Sequence, residues 1–473
     1  MMDRVKNNSL YSVGYLVVLI ISIISFAEYA LSMFSSDKNT TELYLLQLFV
    51  AFAASFSYTV ARVGLLHIFS LLHITTLVFA FGGILVSPLS EEFNFRIAHS
   101  PLYMKFTEVT VQKAILLYTL YVCFTFLFYW GIIRYKKAIY QQYRVLSTDK
   151  RLFTIAKYTM LLTLPFAIYY GVMQFTIAGA EGGLTALYSA GGNEALGVPL
   201  YVRIPHMFFI ISYYILIASG PQKKDFVRFS LVYFIPLIPI LLMGERGDVI
   251  VPIMFALWYS KKYYDIKINY IKLALFGFAI ITVAFVLTYT RLGDDVGDLS
   301  TAIIIVGFLG TSATSFKLLG YYITFKDQIM PHNYPFVFDS LIAGLTGASG
   351  QNLETLRVRA SIGHHLVYTL NPNYYLSGAS TGTSYIAECF EFGVFGIIIG
   401  TFVLAYFLYY FDYKLMRSRY MMVFMFTMFT LIVLSPRGSL FLGIYDIIKY
   451  SIVYFLLVSL YNIFHVHTKQ SAN

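Results

Sequence analysis

The 473-residue chain is 58% hydrophobic and only 12% charged, and its formal net charge is +10. Soluble domains carry roughly 25% charged residues, so this composition, with a mean hydropathy of +0.69, excludes a soluble fold. The basic residues sit in short loops between apolar runs with no RNA- or DNA-binding motif around them. That excludes a nucleic-acid partner and reads as the charge asymmetry of a membrane protein.

A spanning helix needs about 20 mostly apolar residues. About twelve such runs are expected, at residues 10–34, 43–60, 64–87, 114–133, 152–175, 204–220, 229–243, 249–260, 272–290, 386–410, 420–434 and 443–464. The first is too long for the apolar core of a signal peptide and reads as an uncleaved helix. The chain is therefore expected to be an all-α polytopic membrane protein, one integral membrane domain over residues 1–473. Cys123 and Cys389 lie in or beside apolar runs, so no disulfide framework is expected.

Orientation follows the lysines and arginines of the short loops. They cluster at Arg134–Arg151, Lys223–Arg228, Lys261–Lys272 and Lys414–Arg419. Counting spans puts all of these on one side together with both termini, and that side reads as cytoplasmic. The outer side then carries residues 88–113, 176–203 and a large segment over residues 291–385. Its apolar stretches 301–316 and 335–345 suit half-inserted or interfacial helices, or an extra pair of spans.

Two hairpins share one design. The first has its tip at Gly244-Glu245-Arg246-Gly247-Asp248, the second at Ser435-Pro436-Arg437-Gly438-Ser439. Each arm of the first hairpin and the first arm of the second has only about 15 residues and reaches about 23 Å, short of a hydrocarbon core about 30 Å thick, so each tip should sit below the outer surface. Backbone that leaves a helix at that depth must line water or be covered by protein. An arginine there is a functional candidate, because its fixed fork grips phosphate with two hydrogen bonds. A structural ion pair of Arg246 with Glu245 or Asp248 is the alternative reading.

Further candidates follow in chain order. Arg291 closes the ninth span, as a phosphate ligand or as an interfacial anchor. Asp294, Asp295 and Asp298 form a small acidic cluster, readable as a cation site or as a solvated loop start. In the large segment Arg357 and Arg359 stand near His364 and His365, where an imidazole could take a proton from a hydroxyl. Asp446 and Lys449 are three residues apart and can pair on a helix.

The many spans with a large outer segment, the Gly244-Glu245-Arg246-Gly247 turn, and the stretch Gly382-Thr383-Ser384-Tyr385-Ile386-Ala387-Glu388 followed by Glu391-Phe392-Gly393-Val394-Phe395-Gly396 together resemble the Wzy family of oligosaccharide repeat-unit polymerases. The resemblance covers about the C-terminal half, from residue 230 on. It implies a fold like that of the polyprenyl-dependent membrane glycosyltransferases of GT-C type. It also implies a reaction at the outer face of a bacterial inner membrane, in which a hydroxyl of one repeat unit attacks the anomeric carbon of another and undecaprenyl pyrophosphate leaves. Arg246, Arg291, Arg437, Arg357 and Arg359 would bind the pyrophosphate, and His364, His365 and Glu388 would serve catalysis. Neither a metal nor another cofactor is implied, since the donor carries its own activation and arginines can neutralise the leaving group. Implied partners are the lipid-linked glycan, membrane lipid, and a chain-length regulator and flippase of the same pathway. One departure stands out: relatives often carry a histidine just before the re-entry motif, where this chain has Ser380-Thr381-Gly382-Thr383. An O-antigen ligase is the nearest alternative. A flippase is further off, since it would place polar groups through both membrane halves, often in repeats.

Overall fold

Within a bilayer, a helix satisfies each backbone group internally, so apolar runs of this length form helices. The computed structural model describes the chain except for residues 1–7, 91–93, 99–101, 137–146, 181–197, 243–246, 292–300, 349, 416–417 and 471–473. The described residues are mostly helical, with one short antiparallel ladder of β1 (Ile97–Ala98) with β2 (Met104–Lys105).

Eight helices among the described residues are long and apolar enough to cross a membrane. They are α1 (Asn8–Ala30), α2 (Lys38–Val63), a helix over Ile68–Val86, α5 (Glu108–Tyr135), α6 (Lys150–Ala180), α7 (Leu200–Ala218), a helix over Tyr385–Tyr413 and α22 (Ile444–Gln470). The third comprises α3 (Ile68–Thr76), a π turn (Leu77–Phe81) and α4 (Gly82–Val86). These coincide with eight of the expected spans. Of the other four positions, two hold short or interrupted helices and two hold continuous ones of 18 and 22 residues. Residues 229–243 divide between α8 (Lys223–Phe234) and α9 (Leu237–Leu242), with Pro236 and Pro239 unable to donate to the helical ladder. Residues 249–260 lie in α10 (Gly247–Tyr264), residues 272–290 in α11 (Tyr270–Arg291).

The large segment expected as an outer loop is mostly helix. It contains α12 (Thr301–Ser312), α13 (Thr314–Phe325), α14 (Asp339–Thr346), α15 (Leu353–Val358), α16 (Ile362–Leu370) and α17 (Pro372–Leu376). The first apolar stretch read from the sequence packs against the bundle, whereas in 335–345 only Phe336 and Asp339 are buried. α12 packs on α4, where a side chain at Gly82 would strike the Leu309 carbonyl, and α13 packs on α5. After them come α18 (Tyr385–Cys389) and α19 (Gly393–Tyr413), the two parts of the seventh spanning helix, then α20 (Arg419–Met422) and α21 (Met425–Leu434).

The basic loops meet at one end of the bundle. Arg419 donates to the carbonyls of Ser147 (2.6 Å) and Ser219 (3.0 Å), Asp149 N–H donates to Ser219, and Tyr264 donates to Pro221 (2.7 Å). Just inside that end, Asp412 of α19 is fully buried between Lys262 of α10 (3.1 Å), His67 before α3 (3.1 Å) and the Tyr129 hydroxyl of α5 (2.7 Å). Removing one member of such a buried cluster costs about 3–5 kcal/mol, because the remaining charge is stranded. The cluster fixes four stretches of chain at one level. α19, at 21 residues, is about 32 Å long, so residues 382–393 lie at the opposite end.

Candidate functional site

At that opposite end the re-entry motif folds on itself. Gly382 adopts φ +76°, a left-handed conformation natural to glycine. Ser384 then caps α18, its hydroxyl accepting from Ala387 N–H. The turn brings the Thr383 hydroxyl to Glu388, donating to Oε1 at 2.8 Å. Glu388 is 3% exposed. A second hydroxyl, Ser439, lies against the same carboxyl. Thr383 satisfies Oε1, while Oε2 is buried without a hydrogen-bond partner among the described residues, a costly arrangement for a carboxyl.

The second hairpin tip closes directly over this motif. Tyr385 N–H donates to the carbonyl of Ser435 (3.0 Å), and Ser435 and Ser439 are buried. The Tyr118 and Tyr121 hydroxyls of α5 stand beside Ser384 and Ser435. Arg437, at the turn between α21 and α22, is exposed, with its guanidinium 5.4 Å from the Phe79 ring. The sequence-read tip and the sequence-read motif, far apart along the chain, thus form one junction. Asp446 and Lys449, at the start of α22, pair at 2.7 Å as their spacing suggested.

α16 lies against the other side of the motif. A side chain at Gly363 would collide with the Gly382 carbonyl and the Ser380 hydroxyl, and Thr381 donates to the Gly363 carbonyl (3.3 Å). His364 and His365 follow Gly363 on this helix, which packs against the 380–383 turn. His365 is buried, and its Nε2–H donates to the Arg359 carbonyl (2.8 Å), so that nitrogen is committed to the backbone. Burial pushes its pKa below the usual 6.5. Burial, reinforced by the Arg359 charge, pushes His364 down to about 3. Both rings are neutral at neutral pH, and His364 is a weak base, since general bases work best near the operating pH.

The arginines read from the sequence divide. Arg359 is held bidentately by Asp339 (2.7 and 3.3 Å), a partner not singled out in the sequence. That pair neutralises Arg359 locally and ties the α15–α16 turn to α14. Arg357 is exposed, and its carbonyl accepts from Asn333 (3.4 Å). Arg291 ends α11. Arg246 and Glu245 lie outside the described residues, as do Asp294, Asp295 and Asp298. Among the described residues, no group of three His, Cys, Asp or Glu side chains is placed to hold a metal ion.

Sequence reasoning also missed His332 and Glu391. Glu391 accepts from Phe336 N–H (2.7 Å), and its other oxygen stands 3.9 Å from His332 Nε2. The sequence signals were a histidine in the Pro331-His332-Asn333 turn and a carboxylate just before the Gly393 bend.

The family profile for O-antigen polysaccharide polymerase Wzy matches residues 14–470. The chain belongs to the Wzy family of O-antigen polysaccharide polymerases. The match extends well beyond the C-terminal half on which the resemblance rested, so the helices of the N-terminal half belong to the Wzy architecture too. No curated protein and no solved structure matches the chain. In this Wzy chain the polymerase family and the spanning helices together make a multi-pass membrane protein of polysaccharide biosynthesis.

Proposed function

We propose that this chain joins oligosaccharide repeat units carried on undecaprenyl pyrophosphate, at the outer face of the bacterial inner membrane, with the basic loops and both termini in the cytoplasm. A hydroxyl oxygen of the acceptor unit forms a bond to the anomeric carbon of the donor. The bond from that carbon to the pyrophosphate oxygen breaks, and undecaprenyl pyrophosphate leaves with the electron pair. Arg437, with Arg246 and Arg291, meets the departing diphosphate in the place a metal takes elsewhere. Glu388 receives the hydroxyl proton. His364 and His365 hold the motif in position, and Arg359 is a structural ion-pair partner.

The single observation that carries the reading is the contact of the Arg437 turn with the Glu388 motif in a chain whose family assembles polysaccharide. Cells lacking the chromosomal copy and supplied with variants test it, with the surface glycan ladder as readout. Glu388→Gln and Arg437→Ala should each reduce the ladder to single repeat units at normal protein level. Arg437→Lys should restore little, because a point charge cannot replace the two-pronged guanidinium. A normal ladder from Glu388→Gln or Arg437→Ala would remove that residue from the site.

A further inference from the structure

Beside the Glu388 junction is a cavity of about 240 Å³, between the end of α13 and residues 329–336. Tyr322 and Phe336 form its apolar wall, with rings 6.0 Å apart and edge to face, and His332 lies against Phe336 at 4.2 Å. Lys326 stands at the exposed rim. Pockets for drug-sized ligands run from about 300 to 1,000 Å³, so this one suits a single small ring.

The polar groups are arranged for a pair of neighbouring hydroxyls. His332 Nδ1–H donates to the Tyr334 carbonyl at 2.8 Å, which fixes the ring and leaves Nε2 facing Glu391. The 3.9 Å gap between Nε2 and Glu391 Oε1 is too long for a hydrogen bond. With Nδ1–H given to Tyr334, Nε2 accepts, as the Glu391 carboxylate does, so two adjacent ring hydroxyls, one donating to each group at about 2.8 Å, fit this pair. Glu391 is itself held by Phe336 N–H, so wall and carboxylate are one rigid unit. One lysine and no arginine among the lining residues argues against a diphosphate, which the fork of arginine recognises better. An aromatic wall with a few convergent polar groups matches the alternating apolar face and hydroxyl edge of a pyranose ring.

We infer that this cavity is a sugar-binding subsite that seats one ring of the acceptor repeat unit, with two adjacent ring hydroxyls donating to His332 and Glu391. The inference rests on the polymerase reading, because it takes the acceptor glycan as ligand. It adds His332, Glu391, Tyr322 and Phe336 as specificity-determining residues apart from the diphosphate site.

The test uses the purified full chain and two probes, the oligosaccharide released from the lipid carrier by mild acid, and inorganic pyrophosphate. His332→Asn keeps a donor at the Nδ1 position for Tyr334 while deleting Nε2, and Glu391→Gln is the second variant. Unchanged thermal midpoints establish that both fold. Each should weaken oligosaccharide binding by about fivefold or more, roughly 1 kcal/mol at 1.4 kcal/mol per tenfold. Each should raise KM for lipid-linked units more than it lowers kcat, and leave pyrophosphate inhibition unchanged. Losses below that in both variants, or no oligosaccharide binding by the native chain, overturn the subsite. If the native chain binds oligosaccharide through His332 yet makes no polymer, the subsite stands and the polymerase reading falls.

Discussion

At the scale of single residues, chemistry decided what the sequence could disclose. Glu388 was legible from its place at the mouth of a span in the motif that resembles the Wzy family, and it is buried there. Thr383 and Ser439 were not legible as its partners, since one depends on a left-handed turn and the other on a hairpin tip. Arg359 looked like a free cation because Asp339 sits inside an apolar stretch read as interfacial helix. His364 carries a pH consequence. Its folded pKa of about 3 lies below the usual 6.5, so the unfolded chain gains a proton before the folded chain does. Stability is therefore intact above pH 6.5 and lost as pH falls from there toward 3, by at most about 1.4 kcal/mol per pH unit. Thermal unfolding in detergent between pH 7 and pH 4 should show this decline, and His364→Gln should flatten it. An unchanged decline in that variant would mean other groups cause it.

At the scale of elements, apolar length was readable and tertiary association was not. The eight full-length helices follow from unbroken apolar runs. The short first arm of the second hairpin was also readable, as α21 has 10 residues, while α10 and α22 are longer, at 18 and 27. That α16 would lie against the re-entry turn was hidden, since its only sign is Gly363 at a helix start. The packing makes that glycine a test. Gly363→Ala places a methyl group against the Gly382 carbonyl and the Ser380 hydroxyl, and the carbonyl is backbone that moves only with its turn. Overpacking of this kind costs typically about 1–3 kcal/mol. The variant should lower the thermal midpoint and shorten the glycan ladder together, because the displaced turn is the one that carries Thr383 to Glu388. A ladder of native length at a lowered midpoint would separate α16 from the site.

At the scale of the whole molecule, the charge pattern was informative. Loops assigned to one side by counting lysines and arginines touch one another through Arg419, Tyr264 and Asp412. The Glu388 junction lies about 32 Å away along α19. Cysteine labelling checks which compartment each end faces, and the native thiols Cys123 and Cys389 are buried. Glu354→Cys, beside Asn352 on exposed helix, should react with a membrane-impermeant maleimide in intact cells. Lys224→Cys should react only after the inner membrane is opened. The reverse pattern would turn the site toward the cytoplasm and exclude the proposed donor face.

The most direct test of the central claim is polymerisation by the purified chain supplied only with lipid-linked repeat units, without nucleotide sugars, in the presence and absence of EDTA. The account predicts a ladder of lengthening glycans that survives the chelator, and single units alone from Glu388→Gln. The claim would be contradicted by absence of a ladder from the native chain. Activity lost in EDTA and restored by magnesium or manganese would contradict the metal-free role given to the arginines.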